Sequence, residues 1–282
     1  MPRRTRTQDV PRPFLKWAGG KGQLLDELRA RVVLGQPFAR YHEPFIGGAA
    51  LFFDLHRCDM LPEGRSLLSD TNERLIEAYL GVRDDVDGVI ARLRMHAECH
   101  SRDYYYQTRA RVPDDLAGRA ARIIYLNRTC FNGLYRENSQ GEFNVPVGDY
   151  RNPMICDEAN LRAVASALSR ARIEARPFAT VLDYARPDDF VYFDPPYHPI
   201  SKTASFTAYA KDKFGESDQR ELAAVFAELT MRGVKALLSN SMTDLIRDLY
   251  RDFTIEEVYA NRAINSNAAR RGKVPEALIR NF

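Results

Sequence analysis

Segments with a strand pattern alternate with segments with a helix pattern along most of this chain. Strand patterns occur at 41–46, 66–70, 171–175, 190–193, 234–239 and 253–258. Helix patterns occur at 23–33, 72–82, 158–168, 217–231 and 243–250. Residues 83–125 interrupt the alternation, because they are helical and charged throughout. This order predicts one α/β domain with an inserted, mostly helical module.

One of the strand patterns ends in a distinctive turn. The apolar run 190–193 is followed by Asp194, Pro195, Pro196 and Tyr197. Two prolines cannot continue a central strand, so the chain turns here, at the end of the sheet. The turn brings together a carboxylate, an unpaired carbonyl and an exposed ring, which suits a planar heterocycle with an exocyclic amine. The tetrapeptide by itself fits a proline-rich turn with a surface tyrosine equally well.

Two glycine-rich turns precede helix patterns near the start of the chain. The first lies in 14–22, which contains Trp17 and Lys21, and the second contains Gly47 and Gly48. Glycines at a strand-to-helix turn let a ligand approach the backbone closely. Asp70 stands 22 positions after Gly48 and ends a strand pattern, as expected for an acid that binds ribose hydroxyls. The dinucleotide pattern GxGxxG is missing, so a nucleoside cofactor without phosphate is compatible and a nicotinamide oxidoreductase is disfavoured.

The segment 126–146 differs in composition from its surroundings. It is rich in asparagine, glycine, arginine and aromatic residues, and 139–141 predicts a hairpin turn. Side chains of these types reach base edges and phosphates, and arginine commonly reads guanine. The alternative is a structural loop that covers the active site.

Composition excludes several classes of protein. The four cysteines are scattered without zinc-ligand spacing, which indicates free thiols and no metal site. No apolar run approaches membrane-spanning length, and the N-terminus lacks the apolar stretch of a secretion signal, so we expect a cytoplasmic protein. The net charge of +3 does not by itself indicate a polyanion partner. Arginines in the middle third and a basic cluster at 262–273 make a basic groove a hypothesis.

Taken together, these motifs resemble DNA N6-adenine methyltransferases of the Dam type, the D12 class. The segment 14–21 is similar to the family's first cofactor motif, and 43–48 to its glycine motif. Asp70 matches the acidic ribose position, 194–197 matches the catalytic DPPY, and 127–146 resembles the target-recognition region. The order of these motifs is the alpha arrangement of amino-methyltransferases. The resemblance covers nearly the whole chain, although Ala49 and Ala50 stand where the family often has a glycine-richer turn.

The resemblance implies the cofactor, the fold and the domains. S-adenosyl-L-methionine would be the methyl donor, and no metal is required. The fold would be a Rossmann-like α/β methyltransferase domain with a seven-stranded mixed sheet and an inserted, mostly helical target-recognition domain. The catalytic domain would comprise 1–83 and 157–282, and the recognition domain 84–156.

The resemblance also implies the site residues. The cofactor-binding residues would be Trp17, Ala18, Gly19, Lys21, Glu43, Pro44, Phe45, Gly47, Asp70 and Asp194. The catalytic residues would be Asp194, Pro195, Pro196 and Tyr197. The nucleic-acid-binding residues would be Arg128, Asn132, Leu134, Arg136, Asn138 and Pro146. The residues Phe206, Thr207, Tyr209, Asp218 and Gln219 resemble the stretch that shapes the pocket beyond DPPY.

By resemblance, the substrate is an adenine flipped out of double-stranded DNA, within GATC. Three alternatives stay open: a longer site that begins with GA, methylation of another planar amine or amide as in related enzymes, and a non-catalytic DNA-binding regulator. We expect a monomer without membrane association. Whether a cognate restriction endonuclease exists is left open by the sequence.

Overall fold

The computed structural model describes residues 10–17, 19–200, 214–261 and 273–282. The helices are α1 (Leu25–Leu34), α2 (Ala50–Arg57), α3 (Glu73–Asp84), α4 (Val86–Glu98), α5 (Arg102–Ala110), α6 (Leu116–Thr129), α7 (Glu158–Leu168), α8 (Val181–Tyr184), α9 (Glu216–Met231) and α10 (Asp244–Leu249). Short 3₁₀ turns cover Phe131–Gly133 and Phe178–Thr180. The strands are β1 (Tyr41–Glu43), β2 (Ser66–Asp70), β3 (Arg172–Ala175), β4 (Phe190–Phe193), β5 (Lys235–Ser241), β6 (Thr254–Asn261) and β7 (Lys273–Arg280).

The strands form a seven-stranded mixed sheet in the order β3-β2-β1-β4-β5-β7-β6. Strand β1 runs parallel to β2 and β4, and β4 runs parallel to β5. Strand β7 is antiparallel to both β5 and β6. The α/β fold with a seven-stranded mixed sheet is therefore confirmed. The strand order reverses at β1 and β4, and ligands of such sheets bind outside the carboxyl ends of the strands at this switch point.

The chain divides into two compact units. Unit 1 comprises Met1–Gly20, Gly47–Met60 and Asn72–Ala175, and unit 2 comprises Lys21–Ile46, Leu61–Thr71 and Arg176–Phe282. The boundaries expected at 84 and 156 both fall inside unit 1. The division into a catalytic and a recognition domain stays a prediction.

Unit 1 is dominated by helices whose ends match the sequence signals. Side-chain oxygens of Asn72, Asp85, Ser101, Asp115 and Asp157 each accept a backbone N–H in the first turn of the helix that follows. Helix α6 is almost entirely buried. Helix α3 approaches it closely at Gly81, where an added Cβ would lie 2.5 Å from the Cβ of Ala120. A small residue is therefore required at this crossing.

Unit 2 is organised around an apolar core. Buried residues of β4, β5 and β7 pack with one face of α9 and with α10, and Val191, Phe226 and Leu238 are among them. Strand β4 is buried on both faces, as expected for a central parallel strand. This core fixes the position of the turn that follows Phe193.

The predicted strands and helices are confirmed with small shifts at their ends, but β7 was not predicted. The segment contains Pro275, and a proline argues against a strand with neighbours on both sides. In the structure β7 lies between β5 and β6, and Pro275 is opposite Tyr259. The hypothesis of a basic cluster at 262–273 falls largely outside the described residues.

Several arginines of the middle third pair with acids on the helices. Arg83, Arg92, Arg94 and Arg119 contact Asp84, Asp115, Glu158 and Glu77, respectively. Their charges are therefore locally balanced, and these arginines give no support to a basic groove.

Within the described ranges, no helix is long and apolar enough to cross a membrane. The same residues hold no group of three or more His, Cys, Asp or Glu side chains suited to a metal ion. All four cysteines lie in the described part of the chain and are free thiols.

Candidate active site

Asp194 directly follows β4, and one of its two carboxylate oxygens is fully engaged. Its Oδ1 lies 2.7 Å from Lys21 Nζ and 2.9 Å from Ser239 Oγ. The hydroxyls of Ser239 and Tyr192 are 3.0 Å apart, so the network extends into the core. No described residue donates a hydrogen bond to Oδ2. The carboxylate is thus held through one oxygen and offers the other.

The two prolines differ in burial and in partners. Pro195 is buried, whereas Pro196 is exposed and its carbonyl accepts from Gln219 Nε2 at 3.0 Å. The Pro195 carbonyl has no hydrogen-bond donor within 10–17, 19–200, 214–261 and 273–282. The turn therefore presents two acceptors, Asp194 Oδ2 and the Pro195 carbonyl, that could bind the two hydrogens of one amine.

Tyr197 was predicted to be exposed, and this prediction is wrong: the side chain is half-buried. Its hydroxyl donates to Glu276 Oε2 at 2.8 Å, and Lys21 Nζ lies 4.5 Å from the centroid of its ring. The hydrogen bond and the cation–π contact together fix the ring. A fixed ring next to two acceptors can hold a flat, amine-bearing molecule.

Burial controls the protonation of this cluster. Burial raises the pKa of Asp194, and the nearby Lys21 ammonium and the Ser239 hydroxyl oppose that rise. Burial and then the charge of Asp194 raise the pKa of both Tyr192 and Tyr197 well above their usual range. The two tyrosines are therefore neutral at physiological pH, and Lys21 favours the ionised form of Asp194.

The predicted cofactor residues of unit 2 lie at the ends of neighbouring strands. Glu43 ends β1, is 2% exposed and accepts a hydrogen bond from the Tyr41 hydroxyl at 2.8 Å. Asp70 ends β2 and is half-buried, and its carbonyl accepts from the backbone N–H of Arg176. Because β1 and β2 are adjacent and parallel, both acids lie at the same edge of the sheet.

Two further residues of the expected glycine motif follow Glu43 directly. Pro44 is buried, and the Phe45 ring packs against Phe178 and Phe214 at centroid distances of 5.3 and 5.6 Å. These contacts tie the segment that enters the glycine turn to the core of unit 2.

In unit 1, Gly47 and Trp17 lie together. Gly47 has a φ of +45°, and an added Cβ would lie 3.0 Å from Trp17 Cδ1. The Tyr79 hydroxyl donates to the Gly47 carbonyl at 2.9 Å. Gly19 also has a positive φ, and Ala18 lies outside the described residues. Only glycine combines the left-handed conformation of residue 47 with this close approach of an indole ring.

The recognition-like loop of unit 1 exposes four of its six predicted residues. Asn132, Leu134, Arg136 and Pro146 are exposed, and Arg136 also bonds Asn144. The other two predicted residues, Arg128 and Asn138, are half-buried and have structural contacts. Arg128 donates to the Phe14 carbonyl, and Asn138 Oδ1 accepts the N–H groups of Gln140 and Glu142.

The expected hairpin turn at 139–141 is confirmed, since Glu137 and Phe143 form an antiparallel bridge around it. Phe131 was not among the predicted nucleic-acid-binding residues, although its side chain is 51% exposed and it directly precedes Asn132. Asn132 has a φ of +54°. An aromatic residue just before an Asn-Gly turn was the available signal.

Sequence reasoning also missed supports of the site. Glu276, Ser239 and Asn240 contact the Asp194–Tyr197 turn or its neighbours from distant parts of the chain. No motif marks them, because each acts through a contact that exists only in the folded chain. Three residues of the stretch that was expected to shape the pocket, Phe206, Thr207 and Tyr209, lie outside the described residues.

Comparison with known proteins gives one family and several close relatives. Residues 17–264 match the family described as D12 class N6 adenine-specific DNA methyltransferase. The chain is similar to the Type II methyltransferase M.MjaIII of Methanocaldococcus jannaschii, with 40% identity over 96% of this chain and 99% of the relative. It is 38% identical to the Type II methyltransferase M1.LlaDCHI of Lactococcus lactis, over 96% of this chain and 95% of the relative. It is 36% identical to DNA adenine methylase of Escherichia coli, over 95% and 94%.

Proposed function

Because the chain belongs to the D12 class of N6 adenine-specific DNA methyltransferases, we propose that it methylates the adenine of GATC in double-stranded DNA after flipping that base. The resemblance found in the sequence is confirmed at the level of the family. The recognition sequence, the flipping step and the roles of single residues form the proposal.

The observation that carries the proposal is the pair of acceptors in the Asp194 turn. Asp194 Oδ2 and the Pro195 carbonyl accept the two hydrogens of the adenine amine, and Tyr197 stacks on the base. These bonds localise the nitrogen lone pair, which is otherwise delocalised into the ring, and aim it at the methyl group. They also stabilise the positive charge that develops on the nitrogen during transfer. Asp194 therefore orients the amine as a hydrogen-bond acceptor, and the proton can leave after the methyl group has transferred.

S-adenosylmethionine is the methyl donor of this family. When bound, it supplies a methyl group that is already activated by a sulfonium charge, so neither a metal nor a covalent protein intermediate is needed. In unit 2, Glu43 and Asp70 at the strand ends suit the amino group or ribose hydroxyls of the donor, and Phe45 adds apolar contact. Lys21 favours the ionised form of Asp194 against the effect of burial.

In unit 1 we assign donor contacts to Trp17, Gly19 and Gly47. The left-handed Gly47 leaves its backbone open to close approach, and the half-buried indole of Trp17 offers a flat apolar surface. Ala18 is assigned with them from the sequence alone.

The exposed residues of the recognition loop read the DNA. Arg136 binds guanine through two parallel hydrogen bonds, and Leu134 and Pro146 contact the methyl groups of thymine. Asn132 and the exposed Phe131 ring occupy the space that the flipped adenine leaves. Flipping costs a few kcal/mol, and stacking on Tyr197 offsets about 1–3 kcal/mol of it. Arg128 and Asn138 shape the loop rather than contact bases.

The test is expression of the chain in a host without adenine methylation, followed by mapping of N6-methyladenine by long-read sequencing. We expect modification of nearly every GATC and none in the same host carrying the Asp194→Ala variant. Modification confined to a longer site that begins with GA would replace GATC. Absence of modified adenine in every motif would favour a DNA-binding regulator and overturn the proposal.

We propose further that the chain works as a monomer in the cytoplasm. The Type II names of two relatives support a role beside a restriction endonuclease. The third relative, a DNA adenine methylase, supports a role in marking the genome. Resistance of host DNA to an endonuclease that cuts unmodified GATC would follow from either role.

A further inference from the structure

Two buried amide side chains, Asn240 and Gln219, are hydrogen-bonded to each other and to the backbone around the Asp194–Tyr197 turn. We call this pair the amide relay. Asn240 on β5 is 0% exposed, and its Oδ1 accepts the backbone N–H groups of His198 at 3.1 Å and Ser241 at 2.8 Å. Its Nδ2 donates to Gln219 Oε1 at 3.0 Å. Gln219 on α9 is 1% exposed, and its Nε2 donates to the Pro196 carbonyl at 3.0 Å.

The direction of this relay is fixed by its two ends. The backbone N–H groups of His198 and Ser241 can only donate, so Oδ1 of Asn240 must face them. The amide nitrogen of Asn240 therefore points to Gln219, which must accept with its oxygen and donate with its nitrogen. The Pro196 carbonyl at the other end can only accept. Each amide thus has one orientation that satisfies every partner, and reversing both amides would keep the bond between them but lose the bonds at both ends.

The turn needs such a support because its backbone cannot supply one. Pro195 and Pro196 have no N–H, so the chain cannot form strand ladder bonds after β4. The relay binds the carbonyl before Tyr197 and the N–H after it. Ser241 Oγ also donates to the His198 carbonyl at 2.5 Å. The backbone on both sides of Tyr197 is therefore clamped, while the Pro195 carbonyl stays available.

We propose that Gln219 and Asn240 are positioning residues for methyl transfer, and that their amide relay holds the Pro195 carbonyl and the Tyr197 ring in register with the adenine amine. This inference rests on the proposed function. Neither side chain touches the substrate, so the relay acts on the rate of the chemical step rather than on binding. A displacement of about 1 Å at a reacting group can cost about 100-fold in rate.

The main test is Gln219→Glu, which keeps the shape of the side chain. The carboxylate still accepts from Asn240 but repels the Pro196 carbonyl. We expect kcat at pH 8 to fall about 10- to 100-fold, with KM for S-adenosylmethionine and for GATC duplex within about threefold of wild type. Once protonated, the introduced carboxyl group can donate to the Pro196 carbonyl again, so the ratio of variant to wild-type kcat should rise as the pH falls.

A second variant and a control separate positioning from stability. Asn240→Asp removes the donor to Gln219, so the Gln219 amide must turn its nitrogen to residue 240 and its oxygen to the Pro196 carbonyl, and kcat should fall to a similar extent. The control is Asn281→Asp. Asn281 lies next to the opposite end of β5, where it donates to Thr230 and Val234 and accepts from Ala236. Its substitution should reduce the melting temperature and leave kcat unchanged.

The outcomes are distinct. If Gln219→Glu and Asn240→Asp fold and keep kcat within threefold of wild type, the relay does not position the turn. An equal fall of kcat in Asn281→Asp, or unfolding of both relay variants, would assign the amides to stability and overturn the inference as well. If wild-type protein itself transfers no methyl group to DNA, the proposed function fails first.

Discussion

The Asp194–Tyr197 turn and the 131–146 loop differ in how their polar groups are held. In the turn, side chains from three other parts of unit 2 engage the Asp194 carboxylate, the Pro196 carbonyl and the Tyr197 hydroxyl. In the loop, two short antiparallel bridges hold the backbone, and the side chains at its tip stay exposed. Groups that take part in chemistry require fixed positions. Groups that contact DNA bases must instead be exposed, so that they can enter a groove of the duplex.

The two regions also differ in electrostatics. Burial raises the pKa of Asp194, and Lys21 opposes that rise from 2.7 Å. Arg136 is exposed, and it donates its hydrogen bonds to the side chain and the carbonyl of the neutral Asn144. A charge in the turn is therefore adjusted by its neighbours, whereas the charge on the loop is available to a partner. Substitutions should accordingly change the rate in the first region and recognition in the second.

The largest effect is expected from Asp194→Asn. The variant keeps an oxygen for Lys21 and Ser239 but replaces the open acceptor Oδ2 with an amide donor. We expect kcat to fall about 1,000-fold, the upper end of the range for loss of one preorganised group. GATC affinity by fluorescence anisotropy should stay within threefold, and the exposed Asp252→Ala should behave as wild type. Near-normal turnover of Asp194→Asn would remove Asp194 from the catalytic site.

Substitution of Arg136 should act on specificity instead. Loss of a bidentate guanine contact removes about 1–3 kcal/mol of discrimination, so kcat/KM for GATC should fall about 10- to 100-fold in Arg136→Ala. The kcat at saturating DNA should change little. Arg251→Ala is the matched control, because that arginine is 72% exposed and pairs with Asp248. Unchanged discrimination between GATC and AATC in Arg136→Ala would refute the assignment.

A smaller effect is expected at Gly133, where the 131–146 loop contacts Lys16 of the 14–21 segment. Gly133 has a φ of +63°, and an added Cβ would lie 2.7 Å from both Cβ and Cδ of Lys16. Gly133→Ala should therefore weaken DNA binding about 10-fold through backbone strain of about 1–2 kcal/mol, and retain kcat. Gly64→Ala carries the same strain at φ +66° with nothing within 4 Å. If both variants bind DNA normally, the loop does not depend on this contact.

The smallest effect at high pH is expected from Lys21→Met. Lys21 lowers the pKa of Asp194 against the effect of burial, so its removal raises that pKa further. The adenine amine needs an ionised acceptor. As the pH is lowered at saturating donor, the single-turnover rate of the variant should therefore begin to fall at a higher pH than the rate of wild type. The control is Lys235→Met, at the start of β5, which should not change the pH at which the rate falls. If the rates of Lys21→Met and wild type fall at the same acidic pH, protonation of Asp194 does not control the rate.

Local patterns predicted most of the fold. The 158–168 and 190–193 segments were predicted to the residue, because caps, prolines and apolar periodicity act over a few positions. Strand β7 was missed because Pro275 contradicts the local rule for a central strand.

The sequence by itself determined which chemistry-bearing residues this protein carries and the family to which it belongs. An apolar strand stopped by an acid and two prolines already placed Asp194 at the end of a sheet. Only the tertiary structure decided that Glu276 holds the Tyr197 hydroxyl and that Gln219 and Asn240 clamp the turn. The reason is physical: a turn with two prolines cannot form strand ladder bonds, and the donors and acceptors that hold its polar groups come from residues that only folding brings near.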